Sequence, residues 1–217
     1  MPDCSLYLIS PPRIVAATFV EQLKDALSAG GVKAFQLRLK EASDIQILEA
    51  ANEILPLCRS HDVAFILNDR PDLAIECSAD GVHLGQEDMS VVQARAIIGE
   101  NAVIGVSCHA SRDQAIEAAE AGADYVAFGA FYPTTSKPQA KIEKWGVPTP
   151  EIIEWWSTNT TIPCIAIGGI TPANCTPLVK AGADFIAAIS SVWDHEGGAG
   201  AAVKAFATAM AQPASGK

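Results

Sequence analysis

Strand-like and helix-like segments take strict turns along this chain, and that alternation constrains the fold more than any other feature. Short β-branched and apolar runs fall at Leu6–Ile9, Ala34–Leu37, Ala64–Leu67, Gly81–Leu84, Val103–Val106, Tyr125–Phe128, Cys164–Ile167 and Phe185–Ile189. Helical patterns follow them at Thr18–Ala29, Asp44–Ser60, Pro71–Cys77, Val91–Ile98, Arg112–Ala121, Pro150–Ser157, Asn174–Ala181 and Ala199–Met210. Successive parallel strands need a long crossover, usually a helix, and strands this continuously apolar are covered on both faces. Eight such units predict an α/β fold: a closed (β/α)8 TIM barrel, one domain over residues 1–217. The 217 residues lie near the lower size limit of that fold, about 200. Length alone also allows two domains of about 100 residues. A doubly wound open sheet is the alternative, but no G-x-G-x-x-G turn follows the first strand, where Ser10-Pro11-Pro12 stands.

The punctuation agrees with these units. Asp44 and Ser111 are placed to cap the second and fifth helices, since a side-chain oxygen there can accept from a free backbone N–H. Pro71 and Pro150 suit a first helical position. Gly30, Gly122 and Gly182 follow helices at the position where left-handed backbone favours glycine. A degenerate repeat, Ala79-Asp80-Gly81-Val82, Ala123-Asp124-Tyr125-Val126 and Ala183-Asp184-Phe185-Ile186, opens three of the strands.

Hydrophobic residues make up 49% of the chain and charged residues 18%, enough apolar material for a large core and too much for a disordered chain. The net charge is −10 and no Lys/Arg run occurs. Nucleic acid and membrane are therefore not expected partners. Cys4, Cys58, Cys77, Cys108, Cys164 and Cys175 form no C-x-x-C and no zinc-finger spacing with His. They read as reduced, mostly buried thiols. The first residues show no charged region followed by a long apolar run, and no stretch of 18 apolar residues occurs. No signal peptide or membrane span is expected, and the location read from this is cytoplasmic.

In such barrels the chemistry lies just after the strands, at their C-terminal ends. Gln36, Arg38 and Lys40 alternate after the second strand, which puts two cations and an amide on one side, a plausible polyphosphate clamp. Asn68-Asp69-Arg70 follows the third strand and His83-Leu84-Gly85-Gln86-Glu87-Asp88 runs on from the fourth. Asp69 and Asp88 can meet across adjacent loops as a Mg2+ site, since Mg2+ takes hard oxygen ligands and keeps water. Helix capping is the competing role for both. His83 reads equally as a buried structural histidine or a catalytic one. Ser107 and His109 follow the fifth strand with no third partner for a nucleophilic triad. Thr134, Ser136 and Lys137 lie in the sixth loop, where they can cover a phosphate or simply form a surface loop. Gly168-Gly169 and Ser190-Ser191 follow the last two strands, the usual place for a barrel's phosphate cradle.

Together these blocks resemble the thiamine-phosphate synthase family. They are Gln36-x-Arg38-x-Lys40, Asn68-Asp69-Arg70, Ala79 to Asp88, Ile104-Gly105-Val106-Ser107-x-His109, Pro133-Thr134-Thr135-Ser136-Lys137 and Ala166-Ile167-Gly168-Gly169-Ile170, in family order from about Leu6 to Val192. The resemblance implies an enzyme that joins a hydroxymethylpyrimidine diphosphate to a thiazole phosphate, giving thiamine phosphate and pyrophosphate. It implies small-molecule substrates, Mg2+ on Asp69 and Asp88, and a dissociative step. By the same likeness Gln36, Arg38, Lys40, Asn68 and Lys137 contact the diphosphate substrate, with Ser107 near the reacting groups. Arg38, Lys40, Ser107 and Lys137 are the implied catalytic residues. Thr134, Ser136, Gly169 and the Ile189–Ser190 backbone are implied to hold the thiazole phosphate.

Some positions depart from the family pattern. Leu39 stands where the family often has an acidic residue, and Ser136 where it often has Thr. The Ala140–Trp145 stretch and the Trp155-Trp156 pair are not part of the matching blocks; apolar Trp pairs usually pack. A thiazole tautomerase on the same fold is one rival reading; it calls for a His near the sixth loop, where Ala130 stands. A non-catalytic phosphate-binding protein is another.

Overall fold

The computed structural model describes residues 4–134 and 144–211. Eight parallel strands close into a barrel in sequence order: β1 (Ser5–Ile9), β2 (Val32–Leu37), β3 (Ala64–Asn68), β4 (Gly81–Leu84), β5 (Val103–His109), β6 (Tyr125–Gly129), β7 (Cys164–Ile167) and β8 (Phe185–Ala188). The circle shuts where β8 pairs with β1, Ala187 beside Tyr7. Helices α1 (Ala16–Ser28), α2 (Asp44–Ser60), α3 (Pro71–Cys77), α4 (Val91–Ile98), α5 (Arg112–Glu120), α6 (Pro150–Asn159), α7 (Thr176–Lys180), α8 (Ser190–Trp193) and α9 (Ala199–Met210) are the described helices. None of them is long and apolar enough to cross a membrane.

The alternation of side chains along each strand divides the apolar residues into two bodies. Outward residues such as Leu8, Phe35, Phe65, Val82 and Phe128 pack under the helices in the larger body. Inward residues, Tyr7, Ile9, Ala34, Ile66, Tyr125, Ala127, Ile165 and Ala187, fill the barrel interior. The Trp155-Trp156 pair belongs to the outer body. Trp156 is 1% exposed and donates its indole N–H to Ile162 O at 2.7 Å, while the Arg112 guanidinium lies 4.6 Å over the Trp155 ring.

The Ala-Asp repeat has a common structural cause. Asp80, Asp124 and Asp184 stand just before β4, β6 and β8, and each carboxylate accepts the backbone N–H at or near the start of the preceding strand. The acceptor distances are 2.7 Å from Phe65, 2.7 Å from Ile104 and 2.8 Å from Cys164. Each of the three also donates its own N–H to the carbonyl of that same residue. The motif thus clips odd strands to even ones at the N-terminal end of the barrel, where such features serve stability.

Several local expectations need correction. Asp44 does not cap α2. Ser43 does, in a capping box with Gln46, while Asp44 sits in the first turn and pairs with Arg70 at 2.9 Å. The eighth strand ends at Ala188, and Ile189 leads into the short helix α8, which the sequence pattern did not separate. The seventh helix starts at Thr176, because the Asn174 side chain is used in the loop. Its Oδ1 accepts from Thr171 N at 2.8 Å and its Nδ2 donates to Gly169 O at 3.1 Å. Ser111 does cap α5, and Gly30, Gly122 and Gly182 all have positive φ.

Candidate active site

A cavity of about 920 Å³ opens at the C-terminal ends of the strands. Gln36, Arg38, Lys40, Asn68, Asp69, Asp88, Ser107, Thr134, Gly169, Ile189 and Ser190 all line it. Ser136 and Lys137 lie outside the described residues. The floor is apolar, made of Ile9, Ala127, Ile165, Ile167 and Ala187 below the polar rim. Such a cavity suits a flat ring carrying a charged tail.

The cationic side of the rim is built on β2. Ser10, 1% exposed, accepts the Arg38 backbone N–H on its hydroxyl at 2.8 Å, which ties the β2 end to the β1 end. Among the described residues no hydrogen bond uses the Arg38 guanidinium. Burial pushes its pKa down, and the Asp69 charge pulls it back up. Gln36 is 2% exposed, and its amide nitrogen has no hydrogen-bond partner among the described residues. A buried donor left unpaired costs free energy, so both groups fit a ligand oxygen arriving in the cavity.

The acidic side faces it. The Lys40 ammonium is 3.3 Å from the Asp69 carboxylate. Burial pushes the Asp69 carboxyl above the ordinary carboxylate range; Lys40 lowers it, and Asp88, within hydrogen-bonding reach, raises it further. Neither carboxylate caps a helix. Arg70 and Ser90 occupy the two N-cap positions, and Asp88 Oδ2 instead accepts Gly85 N–H at 2.9 Å. Asp69 holds a left-handed backbone, φ 63°, uncommon for a residue with a side chain. Backbone strain of this kind gathers at functional sites. Two facing carboxylates suit a hard divalent cation. Among the described residues no group of three or more His, Cys, Asp or Glu could hold a metal ion. Phosphate oxygens and water would have to complete the shell.

The other loops supply backbone and aromatic surface. Gly168 and Gly169 have φ of 104° and 64°, and a Cβ on Gly169 would lie 2.4 Å from Pro133 O. The sixth and seventh loops therefore meet at a distance only glycine allows. Trp145, which no sequence motif marked, lines the cavity and stacks on His109 at 4.9 Å and 8°. Its neighbour Lys144 pairs with Glu87 at 3.0 Å. The isolated Trp carried no pattern that could have placed it there.

The model of the family described as thiamine monophosphate synthase matches residues 6–192. The chain belongs to that family. Proteins named thiamine-phosphate synthase from Rhodospirillum centenum and Erythrobacter litoralis are 50% and 51% identical to it. The first alignment covers 97% of this chain and 99% of the relative, the second 95% of each. Among solved structures, a thiamine phosphate pyrophosphorylase from Pyrococcus furiosus superposes with a TM-score of 0.83 at 33% identity, over 96% of both chains. Family membership and the shared barrel thus rest on nearly the whole length, and the described site residues of the strand-end blocks line one cavity.

Proposed function

We propose that this protein is a thiamine-phosphate synthase, a transferase that couples a hydroxymethylpyrimidine diphosphate to a thiazole phosphate with release of pyrophosphate. One observation carries the reading: two cations, Arg38 and Lys40, meet the Asp69–Asp88 carboxylate pair at the rim of one apolar-floored cavity. A site that expels a diphosphate needs little covalent chemistry. It needs charge stabilisation where the leaving group departs and a nucleophile held in line.

In this reading Gln36, Arg38, Lys40 and Asn68 bind the diphosphate substrate, with Lys137 added from the sixth loop by family likeness. Asp69 and Asp88 hold Mg2+, which when bound neutralises charge on the departing diphosphate. Thr134, Ser136, Gly169 and the Ile189–Ser190 backbone hold the thiazole phosphate, and Ser107 stands by the reacting groups. The apolar floor excludes water from the electrophilic carbon, which hydrolysis would otherwise consume. Ala130 follows β6 and has no proton-transferring group, which disfavours a tautomerase.

The test is pyrophosphate release by the purified protein. Release that needs both substrates and Mg2+ supports the reading. Release from the diphosphate alone, at the same rate, would make the protein a hydrolase instead.

A further inference from the structure

Below the rim, the barrel interior carries a hydrogen-bonded chain that the roles above leave unused. Tyr7 on β1 meets Tyr125 on β6, hydroxyl to hydroxyl, at 2.9 Å. Tyr125 meets His83 Nδ1 on β4 at 3.0 Å, and His83 Nε2 meets the Ser107 hydroxyl on β5 at 2.8 Å. The imidazole stacks on the Tyr125 ring, centroids 5.6 Å apart and planes 26° apart. Gly105 leaves space for that ring, since a Cβ there would come within 1.9 Å of it. Gln86 donates its amide to the Ser107 carbonyl at 2.8 Å, so the serine is held at both backbone and hydroxyl.

The direction of this chain follows from counting hydrogens. Burial raises the pKa of both phenols, so each keeps its proton. With one proton on the imidazole, two phenols, the ring and a hydroxyl bring one hydrogen each to the chain, and its three links use three. The fourth is left on Tyr7, Tyr125 or Ser107. Tyr7 also touches the cavity, but it and Tyr125 are only 2% and 7% exposed, whereas Ser107 is half-buried at the cavity wall. A spare donor costs least where a ligand or water can accept it. The chain therefore runs from Tyr7 through Tyr125 to Nδ1, which leaves the hydrogen of His83 on Nε2, pointing at Ser107. The Ser107 hydroxyl is then free to donate into the cavity.

We infer that His83 is a positioning residue: it fixes Ser107 as a hydrogen-bond donor toward a phosphate oxygen of the bound ligand. The identity of the ligand rests on the proposed function; the coupling between His83 and Ser107 does not. A double-mutant cycle tests it on the full chain, with His83→Leu, Ser107→Ala and the pair together. The readouts are turnover with both substrates and titration of inorganic pyrophosphate with Mg2+. Each single substitution is expected to cost about 10–100-fold, the scale of one hydrogen bond to a charged group. The pair is expected to cost no more than Ser107→Ala alone. His83→Gln, which can still donate to the serine, is expected to recover part of the loss.

Losses that multiply in the pair, or a His83→Leu protein as active as the unaltered one, would overturn the inference. Should His83→Leu fail to fold, Tyr125→Phe replaces it in the cycle with the same expectations, because it removes the partner of Nδ1. If the unaltered protein couples no substrates, the proposed reaction fails, and the pyrophosphate titration still decides the His83–Ser107 coupling.

Discussion

Lys40 Nζ stands 3.3 Å from the Asp69 carboxylate, which is itself within reach of Asp88. The site thus holds one half-buried acid between a cation and a second acid, and desolvation with Asp88 outweighs the ammonium. That balance is poor for folding and suited to taking up a divalent cation. Exposed at 45% and 22%, the pair itself adds little stability.

Asp69→Asn is expected to raise stability at pH 7 while lowering turnover about 10²–10³-fold. The sign follows from linkage. A carboxyl whose folded pKa is raised binds its proton more tightly in the folded state. Its stabilisation is complete below the ordinary value of 3.8 and is lost as pH rises through the folded pKa. Asparagine removes that loss and tolerates the left-handed backbone. Thermal melts at pH 7 and pH 3 check this: the gain in Tm is present at the first and absent at the second. A lower Tm at pH 7 contradicts it.

Asp124→Ala is expected to lower stability by about 1–3 kcal/mol, since it strips the acceptor from a buried backbone N–H. Ile104 is 0% exposed, and Arg95 also loses its 2.7 Å partner. Asp124→Asn keeps an acceptor oxygen and is expected to lose less. Urea unfolding measures both, and turnover per folded molecule stays unchanged because the clip lies at the barrel end opposite the cavity.

Gly105→Ala is expected to cost about 1–3 kcal/mol through overpacking, because the new methyl meets the Tyr125 ring. Activity should fall with it, as Tyr125 moves away from His83. A melt together with steady-state kinetics separates this from a purely structural loss: a stable protein with unchanged turnover would detach Tyr125 from the site.

Much of the fold was legible in the chain because its signals are local. The boundaries of α2, α3, α4 and α9 follow directly from apolar periodicity, proline and the strand ends around them. Asp44 was misread because Ser43 and Asp44 are both good caps in isolation, and only Gln46, reaching back from the first turn, selects the serine. The site residues could be listed from the strand-end blocks and the family resemblance, but not their electrostatics; Gln36, Asn68, Ser107 and His109, expected after their strands, lie within β2, β3 and β5. Spacing says nothing of which carboxylate is half-buried, nor that the Gln36 amide nitrogen has no hydrogen-bond partner among the described residues. The Tyr7–Tyr125–His83 chain was hidden for a related reason. Its members are far apart in sequence and join only when the barrel closes. Trp145 reached the cavity wall with no pattern at all.

Thiol reactivity offers an independent check of the core. Burial pushes Cys58, Cys108 and Cys164 up to about 12, so at pH 8 almost none of each is thiolate. Labelling with a disulfide reagent is expected to be slow for these three in native protein and fast in urea. Rapid native labelling of Cys108, which is 0% exposed, would mean that β5 opens readily.

The most direct test is the product itself. The purified protein, given both phosphorylated substrates and Mg2+, is expected to yield thiamine phosphate by mass spectrometry in amounts equal to the pyrophosphate released. Asp88→Ala is expected to yield about 10²–10³-fold less per unit time. Absence of the coupled product with both substrates bound, or an Asp88→Ala protein of undiminished rate, would contradict the account.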